Sequence, residues 1–118
     1  MLSERRAMKR FKISYYLPVK KAGNLEKLGI LTEINSMGLK VDSQALLSVG
    51  KSYRLSIDLM NSSMGASQIE LSAIVRWVNP DPIEPNFYNI GFEIQNLSSS
   101  ARDVIEKIMA HYGAGSVS

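Results

Sequence analysis

The sequence predicts an all-β fold: a six-stranded antiparallel β-barrel with a basic N-terminal arm and one C-terminal α-helix. Three observations carry that prediction. Apolar and polar residues alternate through most of residues 11–95, the period of strands with one buried face. The period changes once, to a helical one, over residues 98–113. Positive charge is concentrated ahead of the first strand. Residues 1–21 carry seven Lys/Arg against one Glu and residues 22–118 carry seven against ten acidic residues, so a net charge of +3 divides into +6 and −3.

The arm, residues 1–10, is expected to be flexible and contains Arg5, Arg6, Lys9 and Arg10. The first strand, "FKISYYLPV", puts Ile13, Tyr15 and Leu17 on one face, with Pro18 near its end, where a ladder tolerates proline. "KLGILTEINSMGLKVDS" reads as a tight hairpin whose turn is "NSMG". Gly38 is expected there for a positive φ or a bulge. "SYRLSIDLM" aligns Tyr53, Leu55, Ile57 and Leu59, and the polar "NSSMGAS" turns the chain. "QIELSAIVRWVN" then aligns Ile69, Leu71, Ala73, Val75 and Trp77, which assigns Trp77 to the core together with Tyr53, Tyr88 and Phe92. After the loop "PDPIEP", "NFYNIGFEIQ" supplies Tyr88, Ile90, Phe92 and Ile94 as the sixth strand.

The helix "SSSARDVIEKIMAHYG" aligns Val104, Ile105, Ile108, Met109 and Tyr112. Ser100 and Asp103 are expected as a capping box and Gly113 as the stop. Strands followed by one amphipathic helix give a barrel with the helix on a mouth or seam. Residues 11–113 therefore form the folded unit, and residues 114–118 are expected to fray.

Composition narrows the function. A chain of 118 residues with 45% hydrophobic and 21% charged residues matches a single globular domain with its own core. It has no cysteine and a single histidine, His111, late in the helix, so no thiolate nucleophile and no metal site is expected. Glu33, Asp42, Asp58 and Glu70 face away from the apolar register and read as solvated. There is no phosphate-cradling glycine loop with a following Lys-Ser/Thr. The expectation is a non-enzyme without cofactor or metal. With no apolar run near the ~18 residues of a membrane helix and no apolar stretch behind the N-terminal charges, it is expected to be cytoplasmic and not membrane-inserted.

What remains is the arm. Arg6 and Arg10 are four apart, about 6 Å in a helical turn or about 13 Å in an extended chain, so they can act together. A guanidinium pairs bidentately with phosphate or with the O6/N7 edge of guanine, and its flat face stacks on a base. Two such forks suit a compact ligand carrying phosphate and guanine; the bland alternative is a solvated tail.

The arm and the first hairpin together resemble the PilZ family of bacterial cyclic di-GMP receptors, whose signature is RxxxR ahead of a six-stranded barrel and (D/N)xSxxG on an early hairpin. "RAMKR", Arg6 to Arg10, matches the first motif, and Arg5 completes the RRxxxR form. "EINSMG", Glu33 to Gly38, occupies the second, with Glu33 in place of Asp/Asn and Asn35 in place of Ser. "AIVRWV" and "YNIGFEIQNLS" resemble the family's later strands, so the likeness spans Glu4 to Tyr112.

The resemblance implies cyclic di-GMP as ligand, held by Arg5, Arg6 and Arg10 over a floor of Glu33, Asn35 and Gly38. It also implies a signal sent when the arm orders and changes contact with a partner protein not named by the sequence. Glu33 moves its carboxylate by roughly 1.5 Å relative to aspartate, and one strained hydrogen bond costs about 1–3 kcal/mol, or about 5- to 150-fold in affinity. The first alternative is accordingly a PilZ-like interaction module that has lost nucleotide binding. The second is a small barrel binding single-stranded nucleic acid, with Phe11 and Tyr16 as stacking platforms. The acidic body, at −3, disfavours nucleic acid, because a strand-tracking groove is basic across its floor.

Overall fold

A computed structural model describes residues 10–13, 17–23, 26–59 and 67–117 of the chain. Its elements are β1 (Arg10–Ile13), β2 (Pro18–Lys21), β3 (Lys27–Ile34), β4 (Gly38–Ser43), β5 (Ser52–Asp58), β6 (Gln68–Pro80), β7 (Tyr88–Gln95), α1 (Ser99–Tyr112) and β8 (Gly113–Val117). Strands neighbour one another in the order β2-β5-β6-β7-β4-β3, and β2 pairs again with β3, so six strands close into an antiparallel barrel. The other two form an annex: β1 pairs with the last residues of β3, and β8 pairs with β1.

The alternation read from the sequence sets the inside of the ring. Leu55, Ile57 and Leu59 are fully buried, as are Ala73 and Val75 on β6 and Ile90 on β7. Tyr53 lies at the rim of the core with its ring edge-on to Phe92, centroids 6.5 Å apart, and Tyr88 also packs against the core. One end of the barrel is closed by α1, where Ile105 and Ile108 are fully buried and the Tyr112 hydroxyl donates to the Leu59 carbonyl at the end of β5. That bond satisfies two groups that burial would otherwise leave unpaired.

Three local expectations are revised. The predicted first strand is two, because β3 advances four residues between the pairs Phe11↔Ile34 and Pro18↔Ile30 while the first segment advances seven. Leu17 is buried as predicted, whereas Tyr15 lies outside the described residues, as does most of the "NSSMGAS" turn. The helix is capped by Ser98, whose Oγ accepts from the Ala101 amide at 3.1 Å, and not by the Ser100/Asp103 box. The helix begins at Ser99, so the residue at the third helical position is Ala101, which has no carboxylate to return the bond. Finally, the chain does not fray directly after Tyr112: Gly113 to Val117 pair antiparallel with β1.

Candidate ligand-binding site

The register assembles a single row across the outside of the barrel. Lys12 pairs with Glu33, Glu33 with Lys40, Lys40 with Gly91 and Gly91 with Trp77, a run through β1, β3, β4, β7 and β6. Directly opposed residues share a face, so Glu33, Lys40 and Trp77 are neighbours on one surface. Lys40 Nζ lies 3.6 Å from Glu33 Oε2, with side chains 27% and 14% exposed, so Glu33 is far from the solvated carboxylate expected.

Trp77 reaches this surface through a β-bulge. Val75 opposes Phe92 and Trp77 opposes Gly91, so β6 carries one extra residue between them. The phase flips, Val78 turns toward the core beside Ile90, and Trp77 is left half-buried on the outside. This corrects the core assignment of Trp77. The indole lies directly on the Gly91 backbone, where an added Cβ would sit 2.2 Å from Trp77 Cε2. Glycine is required there for contact, since any side chain would lift the ring away.

Beside the row stands the β3–β4 turn. Asn35 is only 4% exposed, and its Oδ1 accepts from the Met37 amide at 2.8 Å and the Gly38 amide at 3.0 Å. The Asn35 amide donates to the Gly38 carbonyl at 2.9 Å, which closes the turn. Asn35 thus builds the turn, as an Asx side chain does where the backbone lacks partners. Gly38 is not among the positive-φ residues; a Cβ there would meet the Phe92 carbonyl oxygen at 2.6 Å. Its role is close approach of β4 to β7, not the turn conformation expected from the sequence.

Residues 4–111 match the family model of the PilZ domain. The chain belongs to the PilZ domain family. Its fold is similar to the PilZ domain of Escherichia coli YcgR solved with c-di-GMP, at TM-score 0.73 and 13% identity over 92% of this chain and 91% of that one. It is similar to the K. pneumonia MrkH–c-di-GMP complex at TM-score 0.70 and 16% identity, covering 89% of this chain and 51% of that one. A third likeness is to the Bacillus subtilis inhibitor of motility MotI/DgrA, at TM-score 0.66 and 20% identity over 86% and 48% of the two chains. The chain thus spans about half the length of the last two. No curated protein matches the sequence.

Of the six positions expected from the PilZ motifs, Arg5 and Arg6 lie outside the described residues. Arg10 opens β1, and the pair Phe11↔Ile34 brings it level with the Asn35 turn. Glu33, Asn35 and Gly38 lie together on the hairpin, Glu33 within the row and the other two shaping its edge. Sequence reasoning missed Lys40 and Trp77. A signal existed in "VRWV": two valines three apart cannot both face a core in an unbroken strand, so a bulge was implied.

Below the row on β4 stands Asp42, paired across the sheet with Ile30 and Asn89. Burial pushes its carboxyl above the ordinary 3.8; Lys40 opposes the shift, while Asp81 and Glu33 add to it. Asp42 Oδ1 is buried without a hydrogen-bond partner. Asp81, in the β6–β7 loop, is held below the ordinary value by the amides of Glu84 and Ile83, with lesser help from Lys40 and Asn89. Among the described residues, no group of three or more His, Cys, Asp or Glu could hold a metal ion, and no helix is long and apolar enough to cross a membrane.

Proposed function

We propose that this PilZ domain is a non-enzymatic cyclic di-GMP receptor that acts as a cytoplasmic adaptor in a bacterial cell. The observation that supports it is the register, which sets Arg10 level with the Asn35 turn at the margin of a surface carrying Glu33, Lys40 and Trp77. Two of the similar folds were solved with c-di-GMP. Arg6 and Arg10 clamp phosphates and guanine edges bidentately, Arg5 adds charge or stacking, and the Trp77 indole offers a purine a flat apolar face. Glu33 accepts from guanine nitrogens once Lys40 yields, while Asn35 and Gly38 keep the turn low enough for the ligand to lie flat. Ordering of the arm on binding exchanges conformational entropy for a new surface, which a partner protein reads.

The Glu33–Lys40 ion pair supports a second reading, a PilZ module that has lost nucleotide binding, because the carboxylate already has a cation at 3.6 Å. Isothermal titration separates the two. Saturable binding of cyclic di-GMP that GTP does not mimic, weakened about 10- to 100-fold by Arg6→Ala or Arg10→Ala, is expected of a receptor. No heat from folded wild-type protein, with binding created by Glu33→Asp plus Asn35→Ser, would establish the second reading instead.

A further inference from the structure

Two β-bulges deliver side chains to the row that carries the candidate site. The one in β6 puts Trp77 there. The other lies in β3, where Leu31 opposes Val41 and Glu33 opposes Lys40, so that Thr32 is an extra residue on β3. Leu31 and Ile34 are both buried although they are three apart. In an unbroken strand Glu33 would share the inward face of Leu31; the bulge turns it outward, to the Lys40 ammonium. Thr32 Oγ1 donates to the Lys40 carbonyl at 3.1 Å, which ties the bulge to the strand that carries Lys40. Bulges that re-aim side chains are over-represented next to functional sites.

Between Glu33 and Trp77 stands Lys40. It opposes Glu33 on one side and Gly91 on the other, and the Trp77 indole lies on the Gly91 backbone. Opposed residues on neighbouring strands are about 5 Å apart, so a base laid flat on the indole turns one edge toward Lys40 and, beyond it, Glu33. Lys40 Nζ and Glu33 Oε2 are 3.6 Å apart, longer than a hydrogen bond. Charge holds the pair, and a ligand that supplies an acceptor to one group and donors to the other can part it.

Guanine carries that combination side by side: the acceptor O6, then the N1 and N2 donors. Adenine carries the reverse, an N6 amine in place of O6 and an acceptor at N1, which would set donor against donor at the ammonium and acceptor against acceptor at the carboxylate. We propose that Lys40 is a specificity-determining residue and that the Glu33–Lys40 pair reads guanine: Lys40 donates to O6 of the base stacked on Trp77 while Glu33 accepts from N1 and N2. This inference rests on the cyclic di-GMP reading above. The ion pair is then the site at rest, each group holding the place that a complementary atom of the base takes.

Isothermal titration of wild type, Lys40→Met and Lys40→Gln with cyclic di-GMP and cyclic di-AMP tests this, since the two ligands share their phosphates and differ in their bases. Lys40 lies on the outer face, and a circular dichroism melt checks that each variant is folded. Lys40→Met is expected to weaken cyclic di-GMP about tenfold or more and cyclic di-AMP by less than about threefold, and Lys40→Gln, whose amide still donates, to recover most of the loss. A loss shared equally by both ligands would make Lys40 a phosphate contact and overturn the proposal. Cyclic di-GMP binding that ignores Lys40→Met overturns it too, with the receptor reading intact. Where cyclic di-AMP binds too weakly to titrate, Lys40→Gln decides: recovery upholds the base contact, and an affinity no better than that of Lys40→Met overturns it. A folded wild type that does not bind cyclic di-GMP overturns the receptor reading and this inference with it.

Discussion

Replacing Gly91 by alanine tests the arrangement that carries Trp77. The new Cβ would lie 2.2 Å from Trp77 Cε2, 2.3 Å from Nε1 and 2.6 Å from Cζ2. Carbon atoms pack at about 3.5–4.0 Å, so the indole must retreat by about 1.3 Å or swing out. The backbone is no obstacle, because Gly91 is not in the positive-φ region. The cost is therefore that of an overpacked contact, about 1–3 kcal/mol. For a domain of 118 residues that lowers Tm by about 4–12 °C. Trp77 is the only tryptophan, so a red shift of fluorescence reports its exposure directly. In a Trp77→Ala background the same Gly91→Ala change meets no ring and is expected to cost less than about 0.5 kcal/mol, a coupling of at least about 0.5 kcal/mol between the two sites. Equal losses in both backgrounds would refute the argument, since the indole would then not be what Gly91 accommodates. If Trp77 stacks on the ligand, Gly91→Ala also weakens cyclic di-GMP binding even where the protein remains folded.

Three further predictions concern parts around the site. Asn35→Ala removes the acceptor of the Met37 and Gly38 amides and is expected to cost about 1–3 kcal/mol in a urea melt with unchanged m-value; a loss below about 0.5 kcal/mol would show that the turn closes without it. Tyr112→Phe leaves the buried Leu59 carbonyl without its donor and should cost about 1–2 kcal/mol, with the helix retained by circular dichroism. Asp42 has a folded-state pKa above the ordinary 3.8, so folding favours its protonated form and wild-type stability falls as pH rises from 3.8 through the raised value. Asp42→Asn, uncharged at every pH, is expected to gain on wild type across that window and to keep a constant difference on either side of it. A difference that does not change with pH would count against burial as the dominant influence on Asp42.

Much of the barrel was legible because a strand's side-chain period is two and burial enforces it. Leu55 and Ile57 on β5, with Leu59 just past its end, and Ile90, Phe92 and Ile94 on β7, could face the core only in one phase. The helix stripe from Val104 to Tyr112 was equally constrained, with Ile105, Ile108 and Tyr112 all buried as the 3.6-residue spacing requires. The caps were less so: Ser98, Ser99 and Ser100 are chemically equivalent candidates, and which hydroxyl meets a free amide depends on where β7 releases the chain.

Local chemistry in the sequence, then, determined the strands, their inward faces, the closing helix and the motif positions Arg10, Glu33, Asn35 and Gly38. Tertiary structure decided which of those residues touch and why. The Lys40 partner of Glu33, the exit of Trp77 from the core and the need for Gly38 and Gly91 all depend on the register of one strand against another. That register is set jointly by the bulge in β6, the turn built by Asn35 and the closure of the barrel, and these are non-local constraints that no window of the chain contains. The same holds for β8, whose residues "GAGSV" have no apolar pattern of their own and gain order only from an open edge on β1.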